Sequence, residues 1–165
     1  ASSTCRGHRR PSVAARNTAR YGVKKSARSK MKGMKLTNLV FVYGTLKKGF
    51  GNHRLLARAE FCGKAYIARV IMLDLGAYPA VIHGGHKEVE GELYQVNDAM
   101  LARLDSLEGH PHFYERQTVM AFPFAAPNNE GSRIAWCYFL SPQAEAHRHA
   151  RGVIIESGIW NGRRA

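Results

Sequence analysis

The run RIAWCYFL at residues 133–140 constrains the fold of this 165-residue chain more than any other stretch. Read as a strand, it points Ile134, Trp136, Tyr138 and Leu140 one way and Cys137 and Phe139 the other, because side chains on a strand alternate with period two. Apolar side chains on both faces require cover on both faces. An open sheet with one wet side does not supply that.

The neighbouring runs fit the same demand. LVFVY (39–43), CGKAYIARVIML (62–73), AVIH (80–83), VEGELYQV (89–96) and FYERQTVMAF (113–122) all read as short strands, with a turn-prone GAYPA at 76–80. NHRLLARA (52–59) reads as a short helix with Asn52 as its cap. DAMLARLDSLEG (98–109) is the clearest helix: Asp98 can cap it, and Met100, Leu101, Leu104 and Leu107 form an apolar stripe. Around six short, Gly-interrupted strands and two or three helices in irregular order predict a single α+β domain with a curved or barrel-like sheet.

Charge divides the chain. Residues 1–38 hold eleven Lys and Arg and no acidic residue, whereas 39–165 hold fourteen basic against twelve acidic, so the net +13 belongs mainly to the N-terminal segment. That segment, taken as 1–36, lacks apolar periodicity and is expected to be disordered alone; residues 37–165 are expected to form the domain. Three origins fit the segment. It is a start-site leftover, since Met31 and Met34 stand just ahead of the first strand; an organelle presequence of Arg- and Ser-rich, acid-free composition; or a loose tail for anionic partners with KKSARSK as its densest patch. Nucleic-acid contact is expected only through this segment, weakly, and not through the domain. No apolar run reaches the roughly 20 residues that span a bilayer. Cys5, Cys62 and Cys137 are widely spaced and odd in number, which favours a reducing, cytoplasmic setting over a disulfide framework. Oligomeric state is not readable.

Two places break local rules. The first is VFVYGTLKKG (40–49), where a buried strand stops at Gly44. Gly44 and Gly49 satisfy the glycine spacing of a phosphate loop, but Phe50 and Gly51 stand where that loop needs Lys and Ser or Thr. What remains is either an ordinary turn or a nest of backbone N–H groups that can hold an anion, a carboxylate included. The second is Glu108. It continues the apolar stripe in the last helical turn, before Gly109 and Pro111 end the helix. A carboxylate there meets the negative end of the helix dipole, and desolvation favours its neutral form. Either it frays into water or it has work to do. The paired histidines (83/86, 110/112, 147/149) have no Cys pair or H-E-x-x-H to complete a zinc set, so no metal is expected. No G-x-S-x-G nucleophile elbow occurs.

Taken in order, VFVYGTLKKG, NHRLL, YPAVI, VEGELYQV, LDSLEGHP and YERQTV resemble the γ-glutamylcyclotransferase superfamily, closest to its γ-glutamylamine cyclotransferase-like branch. IIESGIW (154–160) resembles the C-terminal signature of small bacterial members, except that Ile159 stands where an acidic residue is usual. The resemblance runs from about residue 38 to 160. It implies a mixed α/β barrel with one cavity and a cofactor-free cyclisation of a small γ-glutamyl amide to 5-oxoproline. It also implies a substrate cradle at Tyr43, Gly44, Thr45 and Leu46, a pocket tyrosine at Tyr114, and Glu108 as catalytic acid/base. A binding protein that keeps the pocket without turnover is the alternative. Specificity is expected in a far wall around Tyr78, His110 and His112.

Overall fold

The computed structural model describes residues 37–125, 131–148 and 152–162; the basic segment 1–36, with Cys5, and His149 lie outside the described residues. Its frame is one long antiparallel ribbon, β2 (Glu60–Asp74) and β3 (Pro79–Asn97), paired from Glu60↔Gln95 to Asp74↔Pro79. The turn between them is fixed locally. Asp74 Oδ1 accepts from the Gly76 amide at 2.7 Å, Leu75 N–H donates to the Tyr78 carbonyl at 3.1 Å, and Gly76 takes φ 93°, a conformation that glycine adopts without steric cost.

β1 (Thr37–Val42) pairs antiparallel with β3 and parallel with β5 (Arg133–Leu140), which in turn pairs antiparallel with β4 (Tyr114–Pro123). β4 returns to β2. The order β3-β1-β5-β4-β2, with β2 paired back to β3, closes a five-stranded barrel. A two-residue β6 (Val153–Ile154) adds to the outside of β2. Closure removes the unpaired edges that an open sheet exposes.

Both faces of the strands are covered, as RIAWCYFL requires. Ala135, Cys137 and Phe139 of β5 join Phe41, Ile67, Val81, Val89, Leu93 and Ala121 in one cluster to which all five strands contribute, the barrel interior. Tyr138 and Leu140 join Val40, Val42 and Val96 in a second cluster. Leu101 and Leu104 of α1 (Asp98–Glu108) close that second cluster from outside. Ile134 shares the outer face but lies beyond this cover and is 68% exposed.

Several local expectations change. AVIH and VEGELYQV are one strand, not two. Gly84 and Gly85 take positive φ, and His83 and Lys87 both pair with Val70; residues 84–86 therefore bulge out while pairing continues on either side. Residues Gly51–Leu56 form a 3-10 helix whose cap position is Phe50, not Asn52. In α1 the cap is Asn97, whose side chain accepts from the Met100 amide at 2.9 Å. Asp98 instead accepts from Asn38 Nδ2 at 2.8 Å. Leu107 is 41% exposed and does not continue the buried stripe. No helix among the described residues is long and apolar enough to cross a membrane.

Candidate active site

Where β1 ends, the chain turns at Gly44 and the barrel opens onto a cavity of about 420 Å³. Four sources wall it: the 43–46 turn after β1, the Tyr78–Pro79 corner of the β2–β3 ribbon, the end of α1 with Glu108, and Phe113, Tyr114 and Tyr138 from β4 and β5 or their approach. All six residues expected from sequence at the site, Tyr43, Gly44, Thr45, Leu46, Glu108 and Tyr114, thus line one cavity.

The turn is held from within. Lys47 N–H donates to the Gly44 carbonyl at 3.1 Å, and the Asn52 amide and side chain meet Thr45 O and Oγ1 at 3.2 and 2.9 Å. The Lys48 amide donates to Glu92 Oε2 at 2.9 Å. The amides of Thr45 and Leu46 have no acceptor among the described residues, and these two residues line the cavity. Two adjacent unpaired N–H groups are what an anion nest requires.

Neither lysine of the turn reaches that space. Lys47 is buried, donates to the Trp160 carbonyl at 2.7 Å and lies over the Phe50 ring. Burial holds its ammonium below the usual lysine range. Lys48 is exposed. Among the described residues, no cationic side chain lines the cavity.

Glu108 sits in the last turn of α1, ended by Gly109 with φ 64°. The residue as a whole is half-buried, but its carboxyl group is desolvated against the cavity wall, which pushes its pKa up to about 7. It has no hydrogen-bond or ion-pair partner among the described residues, and burial alone accounts for the shift. Burial raises Tyr43, Cys137 and Tyr138 too, each with a smaller contribution from the Glu108 charge. These three therefore stay neutral, and among them and Glu108 only the carboxyl changes charge near neutral pH.

Each tyrosine is anchored. Tyr43 OH donates to the Tyr138 carbonyl at 2.7 Å, and Tyr114 OH donates to the Pro79 carbonyl at 2.8 Å. Tyr78 packs edge-on against Phe113 at 5.9 Å. The far wall expected around Tyr78, His110 and His112 contains Tyr78 but neither histidine. His110 Nδ1 instead accepts from the Arg116 amide at 3.1 Å; Phe113 takes the wall position. Ile159 lies outside the cavity, as do all described residues from 152 to 162. Sequence reasoning missed Pro79, Phe113 and Tyr138 in the wall. Only Tyr138 left a signal, as a polar-tipped residue in an otherwise apolar alternation.

Comparisons with known proteins assign the chain to a family. The family profile described as gamma-glutamyl cyclotransferase, AIG2-like, matches residues 40–162. A Vibrio cholerae relative is 39% identical over 127 residues, covering 76% of this chain and 96% of its own. Human gamma-glutamylaminecyclotransferase is 42% identical over 90 residues, covering 47% of this chain and 58% of the human protein. Among solved structures, a mouse aig2-like protein superposes with a TM-score of 0.63 at 25% identity, covering 78% of this chain and 98% of that one. With that match across most of its length and a closed barrel of the same type, the chain belongs to the AIG2-like gamma-glutamyl cyclotransferase family.

Proposed function

We propose that the protein is a cyclotransferase acting on a γ-glutamyl amide, with Glu108 as general acid/base. The observation that carries this reading is a carboxyl group at the cavity wall with a pKa of about 7 and, among the described residues, no partner to neutralise it. Such a group exchanges a proton near neutrality in either direction, which suits one residue to serve as base and then acid.

The reaction balances without a co-reactant. The substrate's α-amine attacks its own γ-carbonyl carbon, forming the C–N bond of a five-membered ring. The γ-carbon then releases its original amide nitrogen, so the products are 5-oxoproline and a free amine or amino acid. An α-ammonium with a pKa of about 7.7–8.0 sheds one proton to solvent before attack; as the ring C–N bond forms, the same nitrogen sheds a second, and Glu108 takes it. The departing nitrogen must gain one, and Glu108 returns it.

The cavity supplies the remaining requirements. Nucleophile and electrophile belong to one molecule, so the wall's main task is to hold the folded conformer; well-oriented intramolecular reactions gain about 7–11 kcal/mol in favourable cases. The Thr45 and Leu46 amides hold the substrate carboxylate or the oxyanion that develops at the γ-carbonyl. Tyr43 and Tyr114, both with tied hydroxyls, give the substrate a rigid wall. The similarity to human gamma-glutamylaminecyclotransferase supports the same reaction class here.

The test is 5-oxoproline release from a panel of γ-glutamyl amides whose leaving groups are alkylamines, amino acids and the dipeptide of glutathione. Release from at least one member, in stoichiometric balance with the freed amine, is the expected result. No release from any member by folded protein overturns the reading.

A further inference from the structure

Glu108 has no hydrogen-bonded neighbour among the described residues to aim it. Its direction is therefore set by the last turn of α1 and by whatever fixes that turn to the barrel. Asp105, one turn earlier, makes those connections. Its main-chain carbonyl accepts the Gly109 and His110 amides that end the helix, the latter at 3.0 Å. Its two carboxylate oxygens reach two strands: Oδ1 accepts from Tyr138 OH at 2.7 Å and Oδ2 from Arg116 Nη1 at 3.0 Å.

Those two donors are matched to one carboxylate. Arg116 and Tyr138 are directly opposite in the β4–β5 register, so a two-oxygen acceptor above that pair spans both strands. The Arg116 guanidinium also lies over the Trp136 ring at 4.8 Å, and its main-chain amide donates to His110 just past the helix end. The Asp105–Arg116 pair is only about a quarter exposed or less on each side. Tyr138 carries the connection on, because its carbonyl accepts from Tyr43 at the start of the cradle.

We propose that Asp105 is a positioning residue for Glu108, its carboxylate shared between Tyr138 and Arg116 so that the end of α1 is pinned to the barrel and Glu108 is aimed into the cavity. This rests on the acid/base role proposed above. The Arg116 charge balances Asp105, so a second carboxylate one turn away is tolerated. Among the described residues, the ionisable groups around Glu108 are Tyr43 from the turn after β1, Tyr114 from β4, and Cys137 and Tyr138 from β5, with Asp105 on its own helix and Arg116 on β4. A role confined to stability would lower the melting temperature of Asp105 variants and leave the behaviour of Glu108 unchanged.

The experiment follows the Glu108 carboxyl directly, by ¹³C NMR of Glu-labelled full-length protein, with its signal assigned by loss in Glu108→Gln. Asp105→Ala, Asp105→Asn and Tyr138→Phe are titrated alongside wild type, and kcat and KM are measured for each. The proposal expects the Glu108 midpoint in Asp105→Ala to fall from about 7 toward the ordinary value of 4.5 as water reaches the carboxyl. It expects kcat to drop about 10- to 100-fold with KM changed less than about threefold, because a misplaced catalytic group costs rate first. Tyr138→Phe should move both in the same direction by less. If Asp105→Ala does not fold, Asp105→Asn, which keeps an acceptor for Tyr138 but loses the charge, and Tyr138→Phe carry the test. A wild-type midpoint and kcat in the folded variants overturn the proposal. Absence of turnover in wild type with the midpoint still moved removes the cyclotransferase reading and leaves the positioning role standing; turnover in wild type with the midpoint unmoved does the reverse.

Discussion

Gly44 and Pro79 pack so closely that no side chain fits between them: a Cβ built on Gly44 would lie 2.8 Å from Pro79 Cγ and 3.1 Å from Cδ. The glycine of the cradle is thus required by close approach of the ribbon corner, since its φ is not in the left-handed region. The same contact sets the cradle against the wall that carries Tyr78.

Gly44→Ala should therefore displace one wall from the other. Pro79 opens β3 and its carbonyl holds Tyr114, so it cannot yield freely. Overpacking of this kind costs about 1–3 kcal/mol, and a misalignment near 1 Å costs about 100-fold in rate. Urea unfolding and 5-oxoproline release on the same preparation should show a modest loss of stability and a much larger loss of kcat/KM. Unchanged activity would mean that the turn does not hold substrate.

Glu108 should reduce stability at high pH. Its pKa is raised from an unfolded value near 4.5 to about 7 in the folded protein, so the folded state binds the proton more tightly. The associated stability is full below pH 4.5 and is lost as pH rises through 7. A shift of that size corresponds to about 3 kcal/mol. Glu108→Gln cannot ionise, so it should gain up to about that amount over wild type at pH 8 and match it more closely at pH 4. Denaturant titrations at the two pH values check the sign; a variant less stable than wild type at pH 8 contradicts the burial of this carboxyl.

Two leucines three residues apart should behave differently. Leu104 is 0% exposed in the outer cluster, while Leu107 is 41% exposed at the cavity wall. Leu104→Ala should cost about 2–5 kcal/mol. Leu107→Ala should stay within about 0.5 kcal/mol. Equal losses in thermal or urea unfolding would place both side chains in the core.

The contrast between those leucines shows what sequence could reveal. Periodicity located α1 and put Glu108 beside its buried face, because a carboxylate interrupting an apolar stripe is visible in one dimension. The alternation in RIAWCYFL foretold two-sided cover, and the closed barrel supplies it. The barrel-like sheet expected from short, Gly-interrupted strands is there as a closed barrel, but the continuity of β3 was hidden: AVIH and VEGELYQV read as two strands, whereas Gly84 and Gly85 let the ribbon bulge and continue. The link from Asp105 to Tyr138 and Arg116 was hidden for a different reason. It exists only through the register of β4 on β5, which no local pattern encodes. The need for glycine at position 44 likewise comes from a proline 35 residues away.

The most direct test of the central claim compares wild type with Glu108→Gln, using whichever γ-glutamyl amide wild type cleaves and confirming the fold of both by circular dichroism. If Glu108 moves the proton, release of 5-oxoproline should fall by about 100-fold or more in the variant, the range that positioned acid/base groups supply, while substrate still binds. Turnover within a few-fold of wild type in a folded Glu108→Gln protein would contradict the account.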